Sequence, residues 1–301
     1  MGKNLKTPIR YAGGKSKAYN VITEHLPFFF PKPKRIISPF IGGGSLEIGW
    51  ASNMGIPILG FDIFWCLTNY WQNQLNNPRE MYEILHSLEC DIDTYNDIKE
   101  QLLCWEKVQS LFENWSTDHY EREPKEISDL LGAVYYFFSH NLSYGPMFLG
   151  WFSSIYDDRE KYIKMIERVR DFHCPNFSVE NKSFDEVIPN FPNDMIYLDP
   201  PYYMKKDSDN KMFKGIYPNS NFAVHHNEFD HELLRDLLHN HKGSFVLSYN
   251  NCETIREYYK DFRHQFPEWE YSYGQGETRI GKNRTDGKIT KESHEILIIK
   301  E

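Results

Sequence analysis

Hydrophobic and polar positions divide the chain into two regimes. Apolar runs of strand length recur towards both ends, at residues 34–38, 57–61, 177–181, 196–198, 244–249 and 295–299, and sheet character continues through 182–185. Such runs, bounded by glycine, proline or acids, predict buried strands. Helical spacing at residues 17–26, 46–51, 229–239 and 253–262 places helices between them. Strands alternating with helices argue for an α/β sheet. From about residue 76 to 175 strand signals are few, and 78–88, 95–112 and 127–138 carry a helical period instead. The chain therefore reads as a sheet domain built from residues 1–75 and 176–301, interrupted by a helical insertion at 76–175.

Candidate chemistry sits where the predicted strands end. The 196–198 strand runs into Asp199-Pro200-Pro201-Tyr202. Asp199 offers a carboxylate acceptor and Pro200 a carbonyl without a competing N–H, so the two can hold both hydrogens of one amino group. The prolines fix their own φ and keep the preceding residue extended, which pre-sets the pair. Tyr202 adds a face on which a planar ring can stack. The same tetrapeptide also suits a plain Pro-Pro turn with a capping acid, so it needs company.

Company comes from glycine. Pro39-Phe40-Ile41-Gly42-Gly43-Gly44-Ser45 joins a predicted strand to a predicted helix, where α/β sheets bind nucleotide-like ligands against a helix N-terminus. The spacing is not Gly-x-Gly-x-x-Gly, which disfavours a dinucleotide. Asp62 closes the next strand twenty residues after Gly42, a distance that suits an acid binding ribose hydroxyls. Earlier, Tyr11-Ala12-Gly13-Gly14-Lys15-Ser16 imitates a phosphate-binding loop, but Ile9 stands where that loop needs glycine. Paired glycines there let a ligand approach, with Tyr11 as a stacking face and Lys15 as a charge.

Charge and composition narrow the partners. A net charge of −9 means that any nucleic-acid contact is local. Lys205 and Lys206 lie in a long polar loop beyond Tyr202, and Arg279, Lys282 and Arg284 are interleaved with glycine and small polar residues, as a phosphate clamp would be. Within residues 139–151, Asn141 and Tyr144 suit a surface that touches flat polar rings. His225, His226 and His231 lack a companion acid or cysteine set, so no metal is expected. Five scattered cysteines without a Cys-x-x-Cys pair suit a reducing compartment. The N-terminus carries no apolar signal region and no run reaches membrane-spanning length, so a cytoplasmic protein with no membrane partner is expected.

Taken in order, Tyr-Ala-Gly-Gly-Lys (11–15), Pro-Phe-Ile-Gly-Gly-Gly-Ser (39–45), Asp62, Asp-Pro-Pro-Tyr (199–202) and Val-Leu-Ser-Tyr-Asn (246–250) resemble the Dam-type family of adenine-N6 DNA methyltransferases, alpha group. The resemblance spans nearly the whole chain. It implies a Rossmann-like methyltransferase sheet with a mainly helical inserted target-recognition domain, and S-adenosylmethionine as methyl donor. Tyr11 and Lys15 would flank the donor, Pro39, Phe40, Gly42, Gly43, Gly44 and Ser45 would wrap its methionine part, and Asp62 would hold its ribose. Ser183 and Phe184 would border its adenine, and Asp199 would lie against it. Asp199, Pro200, Pro201 and Tyr202 would receive a target adenine flipped out of double-stranded DNA. Asn141, Tyr144, Lys205, Lys206, Arg279, Lys282 and Arg284 would touch the DNA. A cognate restriction endonuclease is a candidate partner, and the DNA implies a nucleoid location, or a nucleus or viral factory in a eukaryotic host. Tyr11 is a mild departure, since the family more often has Trp or Phe there. Asn141-Leu142-Ser143-Tyr144-Gly145-Pro146-Met147 departs further, so no recognition sequence transfers. An RNA-adenine or cytosine-N4 methyltransferase, or a silent DNA-binding module, would share most of these features. Ile9 opposes a nucleotide hydrolase.

Overall fold

The computed structural model describes residues 5–11, 13–26, 33–108, 123, 125–145, 148–203, 229–267 and 295–301. In chain order the elements are α1 (Tyr19–Glu24), β1 (Ile36–Ser38), α2 (Glu47–Met54), β2 (Ile58–Asp62), α3 (Trp65–Asn76), α4 (Pro78–Ser87) and α5 (Ile92–Cys104). There follow α6 (Asp129–Leu142), α7 (Arg159–Arg170), β3 (Phe177–Asn181), α8 (Phe184–Asn190) and β4 (Met195–Leu198). The chain closes with α9 (His231–Asn240), β5 (Phe245–Asn250), α10 (Glu253–Tyr258), β6 (Arg263–Gln265) and β7 (Glu295–Lys300). The strands form a seven-stranded sheet in the order β3-β2-β1-β4-β5-β7-β6, the Rossmann-like arrangement expected. Two compact units divide the chain. One holds Met1–Gly14, Gly42–Gly55 and Asp62–Asn181, and the other Lys15–Ile41, Ile56–Phe61 and Lys182–Glu301.

The second unit contains the parallel core. β1 pairs with β2 on one side and β4 on the other, and β4 pairs with β5, all parallel, while β7 lies antiparallel between β5 and β6. All four residues of β4 are buried, as a central parallel strand covered on both faces requires. Ile37, Ile196, Leu198, Phe245, Leu247, Ile296 and Ile298 form one core with Val187 and Ile188 of α8 and Leu234 and Leu238 of α9. Leu234 and Leu238 stand four residues apart, on one face of a helix started by Asp230, whose carboxylate accepts the Leu233 N–H at 2.8 Å. Each such aliphatic side chain contributes roughly 1.5–3 kcal/mol by leaving water.

In the first unit α6 is the central helix, with every residue from Gly132 to Leu142 buried. A helix apolar all round must be enclosed, and α3, α4 and α5 pack on it. Polar neighbours tie onto it: Asn69 Nδ2 donates to the Asp129 carbonyl at 2.8 Å, and the Tyr95 hydroxyl donates to the carbonyls of Ser139 and Gly150, each at 3.1 Å.

Two expectations need adjusting. Residues 182–185 do not continue a sheet: Ser183 is the N-cap of α8, and Glu186 reaches back to accept its N–H at 3.2 Å, a capping box that starts a helix. The helix expected over 95–112 begins at Ile92 because Asp91 caps it, accepting the Thr94 N–H at 2.8 Å, and ends at Cys104, where Trp105 turns extended.

Gly132 gives a test of this packing. A Cβ built there would stand 2.0 Å from Cη2 of the buried Trp105. Glycine to alanine in a helix normally gains about 1 kcal/mol, but overpacking an enclosed core costs roughly 1–3 kcal/mol or more. Gly132→Ala is expected to lower stability by about 2 kcal/mol in urea denaturation, and a gain would show that the indole is not held against this helix.

Candidate functional site

In the second unit the chain leaves β1 and β4, which are neighbours, in opposite directions: β1 leads to β2 on one flank and β4 to β5 on the other. Ligands of open α/β sheets bind outside the carboxyl ends of strands at such a switch point. Phe40 follows β1 there, and Asp199-Pro200-Pro201-Tyr202 follows β4.

Asp199 does not stand alone. The Lys15 ammonium, on a residue only 5% exposed, donates to both its carboxylate oxygens at 2.7 Å. The same ammonium donates to the Tyr202 hydroxyl at 3.2 Å and lies 5.4 Å from the centre of that ring. A second acid completes the group: Glu295, the first residue of β7 and 2% exposed, has Oε1 3.9 Å from the Lys15 ammonium. The Tyr202 hydroxyl donates to Oε1 of Glu295, and Ser248 Oγ of β5 donates to Oε2 at 3.2 Å. Burial pushes the Glu295 carboxyl up to about 7, opposed by the Lys15 charge and assisted by Asp199. Burial and the neighbouring Glu295 push the Tyr202 phenol well above its usual value, so it stays a donor.

The segment after β4 is fixed at its far end too. Asn250, the last residue of β5, accepts the Tyr203 N–H at 2.9 Å and donates to the Tyr203 carbonyl at 3.0 Å. Pro200 and Pro201 stiffen what lies between. Beside it, the rings of Phe40, Phe184 and Phe229 lie with centroids 5.0–5.6 Å apart.

The first unit carries the glycine turn. Gly42 and Gly44 have φ of +45° and +60°, the left-handed region that only glycine enters without strain. Tyr11 lies directly on the turn: a Cβ at Gly43 would stand 2.5 Å from the Cβ of Tyr11. Asp62 accepts the Gly42 N–H at 3.2 Å and the Phe64 N–H at 2.9 Å. Burial pushes its carboxyl up to about 6 against the pull of those two donors. Tyr11 stacks on His140 with centroids 5.8 Å apart, and Asn141 holds the adjoining Arg10 by accepting its N–H at 2.8 Å.

The structure thus brings Lys15, Asp199 and Tyr202 together, and separately Tyr11, Gly42, Gly43 and Asp62. Pro39 is buried behind Phe40 in the loop after β1, Ser45 follows the glycines, and Ser183 caps the helix that Phe184 begins. Of the residues expected to face DNA, Asn141 is fully buried, its amide engaged by Arg10 and the Phe137 carbonyl. Tyr144 is 67% exposed on the same unit as the exposed Trp151. Lys205, Lys206, Arg279, Lys282, Arg284, His225 and His226 lie outside the described residues. His231 is instead packed against the Tyr249 hydroxyl. Among the described residues no group of three or more His, Cys, Asp or Glu is placed to hold a metal, and no helix is long and apolar enough to cross a membrane. Glu295 escaped the sequence because a lone acid opening the apolar strand 295–299 says nothing of its partners. Asn250 was visible only as a member of a motif.

Lys15 can be tested through stability. Lys15→Ala leaves two acids without their cation, and breaking a buried pair this way costs about 3 kcal/mol. The sign with pH follows from Glu295. Its folded-state value of about 7 exceeds the ordinary 4.5, so the folded state holds an extra proton between them and the wild type loses stability as pH rises through that window. Without Lys15 the window extends upward, so the deficit measured by urea denaturation is larger at about pH 8 than at about pH 6. An equal deficit at both would separate Lys15 from Glu295.

A family model, D12 class N6 adenine-specific DNA methyltransferase, matches residues 11–273. No curated protein sequence matches the chain.

Proposed function

The chain belongs to the D12 class of N6 adenine-specific DNA methyltransferases, and from that premise we propose that it methylates adenine N6 in double-stranded DNA, using S-adenosylmethionine, on a base flipped out of the duplex. The observation that carries this reading is the Asp199 carboxylate at the sheet's switch point, held by the Lys15 ammonium at 2.7 Å.

The residues of this chain handle the amine. Asp199 accepts one N6–H and the Pro200 carbonyl, which has no N–H beside it, accepts the other. An amine conjugated to a purine is a poor nucleophile because its lone pair is delocalised. Two fixed acceptors draw it towards tetrahedral geometry and stabilise the charge that develops on nitrogen. Pro201 keeps Pro200 extended, and Tyr202, its hydroxyl anchored on Glu295, supplies a ring in a fixed orientation. The donor, when bound, supplies an electrophilic methyl on a sulfonium, so positioning does much of the remaining work.

The donor set fits a nucleoside. Asp62, a carboxylate with two backbone N–H partners, can also accept from ribose hydroxyls. Gly42, Gly43 and Gly44 would follow the methionine part, with Pro39, Phe40 and Ser45 beside them in the chain and Tyr11 packed on the turn. Ser183 and Phe184 border the adenine in this reading, and the insertion at 76–175 recognises the target, with Tyr144 and the basic residues 205, 206, 279, 282 and 284 on DNA.

Two measurements bear on this. Wild-type protein incubated with unmethylated DNA and S-adenosylmethionine should yield N6-methyladenine in nucleoside mass spectrometry, and Asp199→Ala should fall by about a thousandfold or more. The variant stays folded because Lys15 retains Glu295, 3.9 Å away. Wild-type rates from it would remove the mechanism, and N4-methylcytosine or labelled RNA would move the substrate. Asp62→Ala should weaken binding of S-adenosylmethionine in equilibrium dialysis about tenfold or more while leaving the rate at saturation within a few fold. Unchanged affinity would take the ribose away from Asp62.

A further inference from the structure

Asp199 directs both carboxylate oxygens at Lys15, so the ammonium competes with the substrate amine for them in the proposed reaction. A buried ammonium gives up a partner only if another anion takes its place. Glu295 is the one on hand. It lies 3.9 Å from the Lys15 ammonium, accepts the Tyr202 hydroxyl, and is steadied by Ser248 at 3.2 Å. We propose that Glu295 is a positioning residue of the methyl transfer: as a carboxylate it takes over Lys15 and anchors Tyr202, freeing Asp199 for the amine. This rests on the function proposed above.

Among the described residues, the titratable and charged groups facing Glu295 include Lys15 before α1 and Asp199 and Tyr202 after β4, with the Ser248 hydroxyl on β5. β6 pairs with β7 from Leu297 to Ile299. Burial holds the Glu295 carboxyl near 7, so its charge changes within the ordinary working range. A protonated Glu295 cannot compensate Lys15, which then keeps Asp199. The transfer step is therefore faster with Glu295 ionised, and its rate rises with pH.

The experiment is single-turnover methylation of unmethylated DNA by the full chain with tritiated S-adenosylmethionine, from about pH 5.5 to 9, with cofactor affinity measured by equilibrium dialysis across the same range. The wild-type rate constant should climb with pH and level off above about 7. Glu295→Gln removes the charge but keeps the shape. Its rate should drop about tenfold or more and lose the rising limb, with cofactor affinity within about threefold. Glu295→Asp should keep a limb, displaced in pH. Glu295→Gln with the wild-type rate and limb overturns the inference alone. Should that variant fail to fold, Glu295→Asp decides, since an unchanged limb overturns it and a displaced one supports it. No transfer by the wild type at any pH overturns both this inference and the function it rests on.

Discussion

A charge can be buried only beside its opposite, and that constraint shapes the end of β4. Taking a carboxylate out of water costs several kcal/mol unless a cation and further hydrogen bonds compensate it. The buried charges are the Lys15 ammonium, only 5% exposed, and Glu295, 2% exposed, and Asp199, its side chain 26% exposed at the end of a buried strand, compensates the ammonium. Asp199, Tyr202 and Glu295 are in turn arranged around that ammonium, so the sheet edge, the loop after β4 and the opening of β7 are tied to one point of charge.

From that point the rest of the half-site follows. Beyond that ion pair, the backbone that follows Asp199 is restrained. Pro200 and Pro201 restrict its dihedrals, and Asn250 clasps both polar groups of Tyr203. In the other unit the corresponding constraint is steric. The positive φ of Gly42 and Gly44 lets the turn form, the missing side chain at Gly43 makes room for Tyr11, and the Gly42 N–H ties the turn to Asp62. One unit thus presents a carboxylate held by an ammonium, and the other a glycine turn tied to an acid.

What could be read from the sequence was local. Strand ends, the glycine run and the acid twenty residues after Gly42 declare themselves because each depends on neighbours in the chain. The α/β class followed from the alternation of strand and helix, and the switch point needed only the strand order. Pairing over distance was not legible: Lys15 and Asp199 are 184 positions apart, and nothing in Gly-Gly-Lys names its partner. Glu295 was hidden for the same reason. Asn141 misled because an asparagine near the end of a helix looks the same whether it faces solvent or, as here, secures the backbone of Arg10. The capping box at Ser183 was legible and went unread, since serine with glutamate three residues later is a helix-start signal.

The account stands on Lys15 and Asp199 acting as one buried unit, and a double-mutant cycle measures that directly. Unfolding free energies of the wild type, Lys15→Ala, Asp199→Ala and the double variant, at one pH near 8, give the coupling energy. A true buried pair should show about 2 kcal/mol or more, because the second substitution removes a charge that the first has stranded. Additive losses, within about 0.5 kcal/mol, would mean that neither side chain answers to the other, and the charge-centred description of this sheet edge would be wrong.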